Sequence, residues 1–239
     1  MNKMKMYCFP YAGGVKSNFY DWSNAFSDIC DIIPLEYKGH GERFTEDHYA
    51  NLDEAALDMY NQIAADKPDY YILYGHSLGS MVALLTAELL EKNYSKKPKA
   101  LIVGGMRPAH LKYRDKQLHQ LPKDDFIKHI FELGQTDEEI MNEPELVDII
   151  YEIMHNDVMI EEKYVYNTNE HNIINIPMIV MTGCEDDEAP LSDMKEWNIY
   201  TKSRFYIKEF NSDHFFPFNC DDFSPYFHNL LKKISLNMI

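Results

Sequence analysis

The stretch that most constrains the fold is residues 70–93, YYILYGHSLGSMVALLTAELLEKN. Tyr70 to Tyr74 is an unbroken apolar and aromatic run of β-formers, the pattern of a strand buried on both faces. From about Met81 to Lys92, Met81, Leu84, Leu85 and Leu89 recur at helical spacing. Between the two, Gly75-His76-Ser77-Leu78-Gly79 must turn the chain sharply from strand into helix. A serine at the apex of such a turn is held in strained backbone, and a Cβ at either flanking glycine would collide with the neighbouring strand or helix. The expected outcome is a hydroxyl held clear of a sheet, above a helix N-terminus, with the Leu78 N–H free to donate. The competing reading is a plain Gly-Ser turn, and the strand and helix on its two sides weigh against it.

The rest of the chain alternates in the same way. Residues 4–10 form a short buried strand ended by Pro10, and Tyr11-Ala12-Gly13-Gly14 is a loop able to take positive φ and to approach another backbone closely. Ser17 starts a helix with Phe19, Trp22, Phe26 and Ile29 on one face, and Asp31 to Leu35 is the next strand. After the polar loop Glu36 to Phe44, a helix from about Asp53 to Asp66 turns Leu52, Ala56, Met59, Tyr60 and Ile63 inward. Beyond the Ser77 helix, Ala100 to Met106 is again a buried strand.

From Arg107 to about Asn169 no β-like run occurs. One helix holds Phe126, Ile130 and Leu133, a second holds Leu146, Ile149, Ile150 and Ile153 after Pro144, and a third runs from about Asp157 to Tyr166. Strands return at Pro177 to Thr182 and Phe205 to Phe210, followed by a closing helix from about Asp222. Alternating strands and helices predict an α/β fold with a mostly parallel central sheet flanked by helices. Residues 1–239 then form one domain, with a core of about 1–106 and 170–239 and an inserted helical lid of about 107–169.

Bulk properties exclude several roles. The formal net charge is −16, from 23 basic and 39 acidic residues. With no basic stripe to neutralise phosphates, nucleic-acid binding is disfavoured, and so is an anionic membrane surface. The N-terminal residues MNKMKMYCFPYAGG carry no secretory signal pattern, and no apolar run is long enough to span a membrane, so a cytoplasmic protein is expected. Cys8, Cys30, Cys184 and Cys220 lack metal-ligand spacing and read as small buried hydrophobes in a reducing compartment. A monomer is the default expectation.

In open α/β sheets, reactive groups sit in loops at the carboxyl ends of strands. Gly183-Cys184-Glu185-Asp186-Asp187 follows one late strand, and Asn211-Ser212-Asp213-His214 follows the next. The order serine, acid, histidine is that of α/β hydrolases. His214 is the candidate base for Ser77. His76 should point elsewhere; His40 sits in a Gly-rich loop, and His110, His119, His129, His155 and His171 fall in the insertion as surface or packing residues. For the acid, Asp186 is preferred, with Asp187 as the alternative. Two oxyanion donors are needed: the Leu78 N–H, and the Ala12 N–H or a neighbour within 11–13.

Together FPYAGG (9–14), GHGER (39–43), GHSLG (75–79), LPKDDF (121–126), GCEDD (183–187) and SDHFF (212–216) give the chain an almost full-length resemblance to the type II thioesterases. These are stand-alone editing enzymes of non-ribosomal peptide and polyketide synthesis. The resemblance implies Ser77, Asp186 and His214 as a triad and Ala12 and Leu78 as the oxyanion hole. Its G-x-x-D spacing selects Asp186, although counting back from Trp197 leaves Asp187 open. GHGER matches a loop that often reads G-R-G-x-R, with Lys38 where Pro is usual.

The implied substrate is an acyl or aminoacyl thioester on the phosphopantetheine arm of an acyl or peptidyl carrier protein, and the implied cofactor is none. Carrier domains are usually acidic, as is this chain, so Arg107, Lys112, Arg114 and Lys116 are read as a basic spot that offsets the repulsion. An ordinary solvated charge cluster explains those four equally well. Other readings are a hydrolase of free acyl-CoA or small esters, a non-catalytic binding protein of the same fold, and a product-releasing cyclase. Cyclases of this kind are usually fused to a synthase, whereas this chain is expected to stand alone.

Overall fold

The computed structural model describes residues 3–111, 117–132, 142–167 and 173–239. Among them β1 (Met4–Phe9), β2 (Cys30–Pro34), β3 (Tyr71–His76), β4 (Leu101–Gly104), β5 (Met178–Gly183) and β6 (Phe205–Phe210) form one parallel sheet in the order β2-β1-β3-β4-β5-β6. The helices are α1 (Tyr20–Ala25), α2 (Leu52–Asp66), α3 (Leu78–Asn93), α4 (Lys123–Glu132), α5 (Pro144–Glu162), α6 (Leu191–Met194), α7 (Phe216–Asn219) and α8 (Phe223–Ser235). Successive strand side chains point to opposite faces. Leu73 and Val103 therefore pack with Met59 of α2 and Leu84 of α3, while Ile72 and Ile102 pack with Phe227 and Leu231 of α8 and Trp22 of α1. Both faces are covered, which is why the strands read as continuous apolar runs.

This strand order places the site. The chain steps outward from β1 to β2, then returns to the other side of β1 with β3. Where the direction of winding reverses, the loops leaving two neighbouring strands diverge and open a crevice at their carboxyl ends. The loop 10–15 leaves β1 there, and Ser77 leaves β3 beside it.

Three local expectations differ from the structure. The helix expected from Ser17 is a 3-10 turn, Lys16–Phe19, followed by the short α1; Phe19, Trp22 and Phe26 are buried but Ile29 only partly. The Ser27 hydroxyl donates to Asn24 O at 3.0 Å, competing with the helical pattern just where α1 stops. The second and third helices expected in the insertion are one, α5, because neither Gly nor Pro interrupts residues 145–162. In it Leu146 and Ile149 are 47% and 38% exposed rather than packed. Of the cysteines, Cys8 and Cys30 are buried, Cys220 is half-buried, and Cys184 is exposed, since it lies just past the end of β5.

Between β4 and β5 the described elements are helical, and they have a small core of their own: Phe126, Ile127 and Ile130 of α4 against Val158 of α5, with Tyr151 and Met154 beside them. Leu133 lies outside the described residues. No helix among the described residues is long and apolar enough to cross a membrane.

Candidate active site

Ser77 stands between the last residue of β3 and the first of α3, with φ 50° and ψ −127°. A non-glycine residue adopts such backbone only when its surroundings force it. Here the forcing is steric. A Cβ on Gly75 would strike the Gly79 backbone, and one on Gly79 would strike the Phe9 and Pro10 carbonyls at the end of β1. The turn is also stitched to β4: the Ser77 N–H donates to Gly104 O at 2.8 Å, and Ser80 Oγ accepts from the Gly104 N–H at 3.1 Å.

The loops after β5 and β6 are joined by the Glu185 N–H donating to Ser212 O at 3.0 Å. They bring His214 Nδ1 to 2.9 Å from Asp186 Oδ2. Asp186 is buried, and its other oxygen accepts from the N–H groups of Glu188 and Ala189 at 3.0 and 3.1 Å. Asp187, the alternative acid, is exposed and lines the mouth of the cavity described below. Burial lowers the affinity of His214 for a proton, but the hydrogen bond and charge of Asp186, helped by Glu188 and Glu161, outweigh it and raise the pKa above the ordinary histidine value. With Nδ1 engaged by a carboxylate, Nε2 is the nitrogen left to act as a base.

Ser77 and His214 share one cavity of about 240 Å³. Tyr11 and Ala12 line it from the loop after β1, and Met154, Val158 and Glu161 from α5. Leu78, the other expected oxyanion residue, opens α3 directly after the serine. The structure thus brings Ser77, His214 and Ala12 to one cavity, with Asp186 behind the imidazole. Arg107 also lines the cavity, but its Nε is 2.8 Å from Asp193 Oδ2, so its charge is engaged within the chain. Lys112, Arg114 and Lys116 lie outside the described residues, as does His171.

Two further histidines bear on the site. His76 is not among the residues that line the cavity, but its ring is fully buried 5.1 Å from that of His214, with Phe215 and Phe216 around it. Burial, and after it the charge of His214, hold its pKa well below the ordinary value, so it backs the base as a neutral ring. His40 is no ordinary loop residue either. It is 1% exposed, as is Asp157 of α5, and its Nε2 lies 2.9 Å from Asp157 Oδ2. That same oxygen accepts from the Gly13 N–H at 2.8 Å. Sequence reasoning missed this pair because Asp157, taken as the start of a helix, looks like an N-terminal cap. The signal was there in the spacing: Met154, Asp157, Val158 and Glu161 fall on one helical stripe, and an acid on an inward stripe needs a partner. In the same insertion the half-buried His119 lies 2.6 Å from the buried Glu162, and His129 lines the cavity.

The thioesterase domain family profile matches residues 4–234. Among curated proteins, the chain is similar to Thioesterase PikA5 of Streptomyces venezuelae, 28% identical over 89% of this chain and 75% of that one. It is also similar to the gramicidin S biosynthesis protein GrsT of Aneurinibacillus migulanus, 25% identical over 90% of this chain and 83% of that one. Among solved structures, the RedJ thioesterase from the prodiginine biosynthetic pathway in Streptomyces coelicolor superposes with a TM-score of 0.84 at 25% identity, covering 98% of this chain and 85% of that one.

Proposed function

The chain belongs to the thioesterase domain family, and from that premise we propose that it is a type II editing enzyme. It hydrolyses acyl or aminoacyl thioesters from the phosphopantetheine arm of carrier proteins, freeing a non-ribosomal peptide or polyketide synthase from wrong or stalled groups. The observation that carries the reading is the strained Ser77 facing the same cavity as an imidazole already held by a buried carboxylate. The biosynthetic names of two relatives, GrsT and RedJ, support the pathway class. The cavity supports a small acyl group, being below the roughly 300–1,000 Å³ usual for sites that engulf a drug-sized ligand. The helices between β4 and β5 act as a lid over it.

Ser77 Oγ attacks the thioester carbonyl carbon while His214 Nε2 takes its proton. Asp186 holds the imidazole in the required tautomer and stabilises the imidazolium. The oxyanion of the tetrahedral intermediate is met by the N–H groups of Ala12 and Leu78. Collapse breaks the C–S bond, and the imidazolium protonates the departing pantetheine thiolate. Water, deprotonated by His214, then attacks the acyl-serine; the acid leaves and Ser77 recovers its proton.

Mass spectrometry of a panel of acylated carrier proteins, before and after incubation with the enzyme, tests the proposal. Loss of the acyl mass from carrier-bound substrates, with kcat/KM well above that for the matching free acyl-CoA, is the expected result. Equal or better turnover of the free thioester identifies a hydrolase of soluble esters instead. No turnover and no labelling of Ser77 by a fluorophosphonate identifies a binding protein.

A further inference from the structure

The proposed chemistry makes no use of the buried pair His40 and Asp157, yet the pair is built into the wall of the site. His40 lies in the loop after β2, Asp157 in α5, and Gly13 in the loop after β1. The polar hydrogens of His40 can be placed from their partners. Its Nδ1 is 2.9 Å from the Lys38 carbonyl, which only accepts, so Nδ1 carries a proton. Its Nε2 faces Asp157 Oδ2, an oxygen already accepting from the Gly13 amide. Burial lowers the proton affinity of His40, but the charge and hydrogen bond of Asp157 outweigh it and raise the pKa above the ordinary value, so with both ring nitrogens donating the pair is an imidazolium facing a carboxylate, each 1% exposed. An ion pair this deeply buried is costly in stability terms, and the cost calls for a local reason.

That reason lies in the loop the carboxylate holds. Residues 11–14 form a turn, closed by the Gly14 N–H donating to Tyr11 O at 2.8 Å, with Gly13 at φ 72°. Ala12, inside this turn, is the oxyanion donor of the proposed mechanism, and the peptide unit that follows it ends in the Gly13 N–H. From outside the turn, the Asp157 carboxylate holds this peptide by a hydrogen bond from the Gly13 N–H. Met154, one turn earlier on α5, packs onto the same spot, where any Cβ on Gly13 would strike its sulfur. An oxyanion hole accelerates a reaction only when its donors are already aimed before charge develops.

We propose that Asp157, held charged and in place by His40, is a positioning residue that sets the Ala12 N–H for the oxyanion, and so makes the oxyanion hole depend on α5 being docked. The helix that walls the cavity thereby also completes its catalytic geometry. The inference rests on Ala12 serving as an oxyanion donor in the reading above.

The test uses the whole chain with two variants: Asp157→Asn, and the double variant His40→Gln with Asp157→Asn. The double variant keeps the site neutral should the lone buried cation left by the single one prevent folding. Steady-state kinetics on an acyl thioester, the rate of Ser77 labelling by a fluorophosphonate, and the thermal midpoint are measured for each. The expected result, well below every midpoint, is a 10- to 100-fold fall in kcat, a KM within about three-fold of wild type, and a parallel fall in labelling rate. A lowered midpoint with wild-type kcat and labelling makes the pair purely structural and overturns the proposal; so does a change confined to KM. Wild-type protein that neither turns over thioesters nor takes the label overturns the functional reading itself, a result distinguishable from the others because no variant is needed to see it.

Discussion

The sheet and the helical segment between β4 and β5 meet at the same cavity but are held together by different means. On the sheet side, the positions of Ser77, Asp186 and His214 follow from backbone: a parallel ladder, a glycine-flanked turn, and peptide N–H groups clamping the carboxylate. On the insertion side, α4 and α5 share a small apolar cluster, Ile160 of α5 packs into the sheet core, and α5 reaches the site through a few side chains, above all Asp157 and Met154. Backbone ladders in a buried sheet open only on global unfolding, whereas elements with sparse contacts open locally. The contrast implies a rigid chemical centre, which the α/β-hydrolase fold places where strand order reverses.

The hardest blow to that picture falls on the rigid side. Asp186→Asn should lower kcat/KM by about 10³–10⁴-fold, because the imidazole loses its orienting carboxylate. It should also displace the pH profile. The base must be neutral to work, and Asp186 raises the pKa of His214, so wild-type activity falls on the acid side from a pH above the ordinary histidine value near 6.5. Without the carboxylate that limb moves to lower pH. An unchanged limb would mean that another group controls the titration.

Stability should divide along the same line. Ile102→Ala, in the middle of β4, should cost about 2–5 kcal/mol in denaturant unfolding, since a fully buried strand residue leaves a cavity the sheet cannot close. Leu146→Ser, on the exposed start of α5, should change stability by no more than about 0.5 kcal/mol. Equal costs at the two positions would erase the distinction. Hydrogen exchange sharpens it further: amides of α4 and α5 should exchange at lower opening free energy than those of β3 and β4.

The same contrast governs what the amino-acid sequence reveals. Strands buried on both faces announce themselves as apolar runs, and a serine between two glycines, with strand before and helix after, has few physical explanations. The places of Ser77 and His214 at strand ends, and the succession of strands and helices along the chain, were therefore legible. The boundary between Asp186 and Asp187 was not, because adjacent carboxylates differ only in which way the loop turns them. In the insertion the apolar residues of α5 do not keep to one face and some are exposed, so periodicity broke α5 in two and hid Asp157 at an imagined helix start. His40 and Asp157 are separated by 117 residues, and no local pattern announces that they meet. Tertiary ion pairs of this kind become readable only once the helix register is known.

The central claim is that Ser77 is the nucleophile of this site, and single-turnover mass spectrometry tests it most directly. Enzyme mixed with an acylated carrier protein, quenched in acid and digested, should carry the acyl mass on the peptide containing Ser77 and nowhere else, while Ser77→Ala should carry none and leave the carrier acylated. An acyl adduct on another residue, or release of the acyl group by Ser77→Ala at the wild-type rate, would contradict the account.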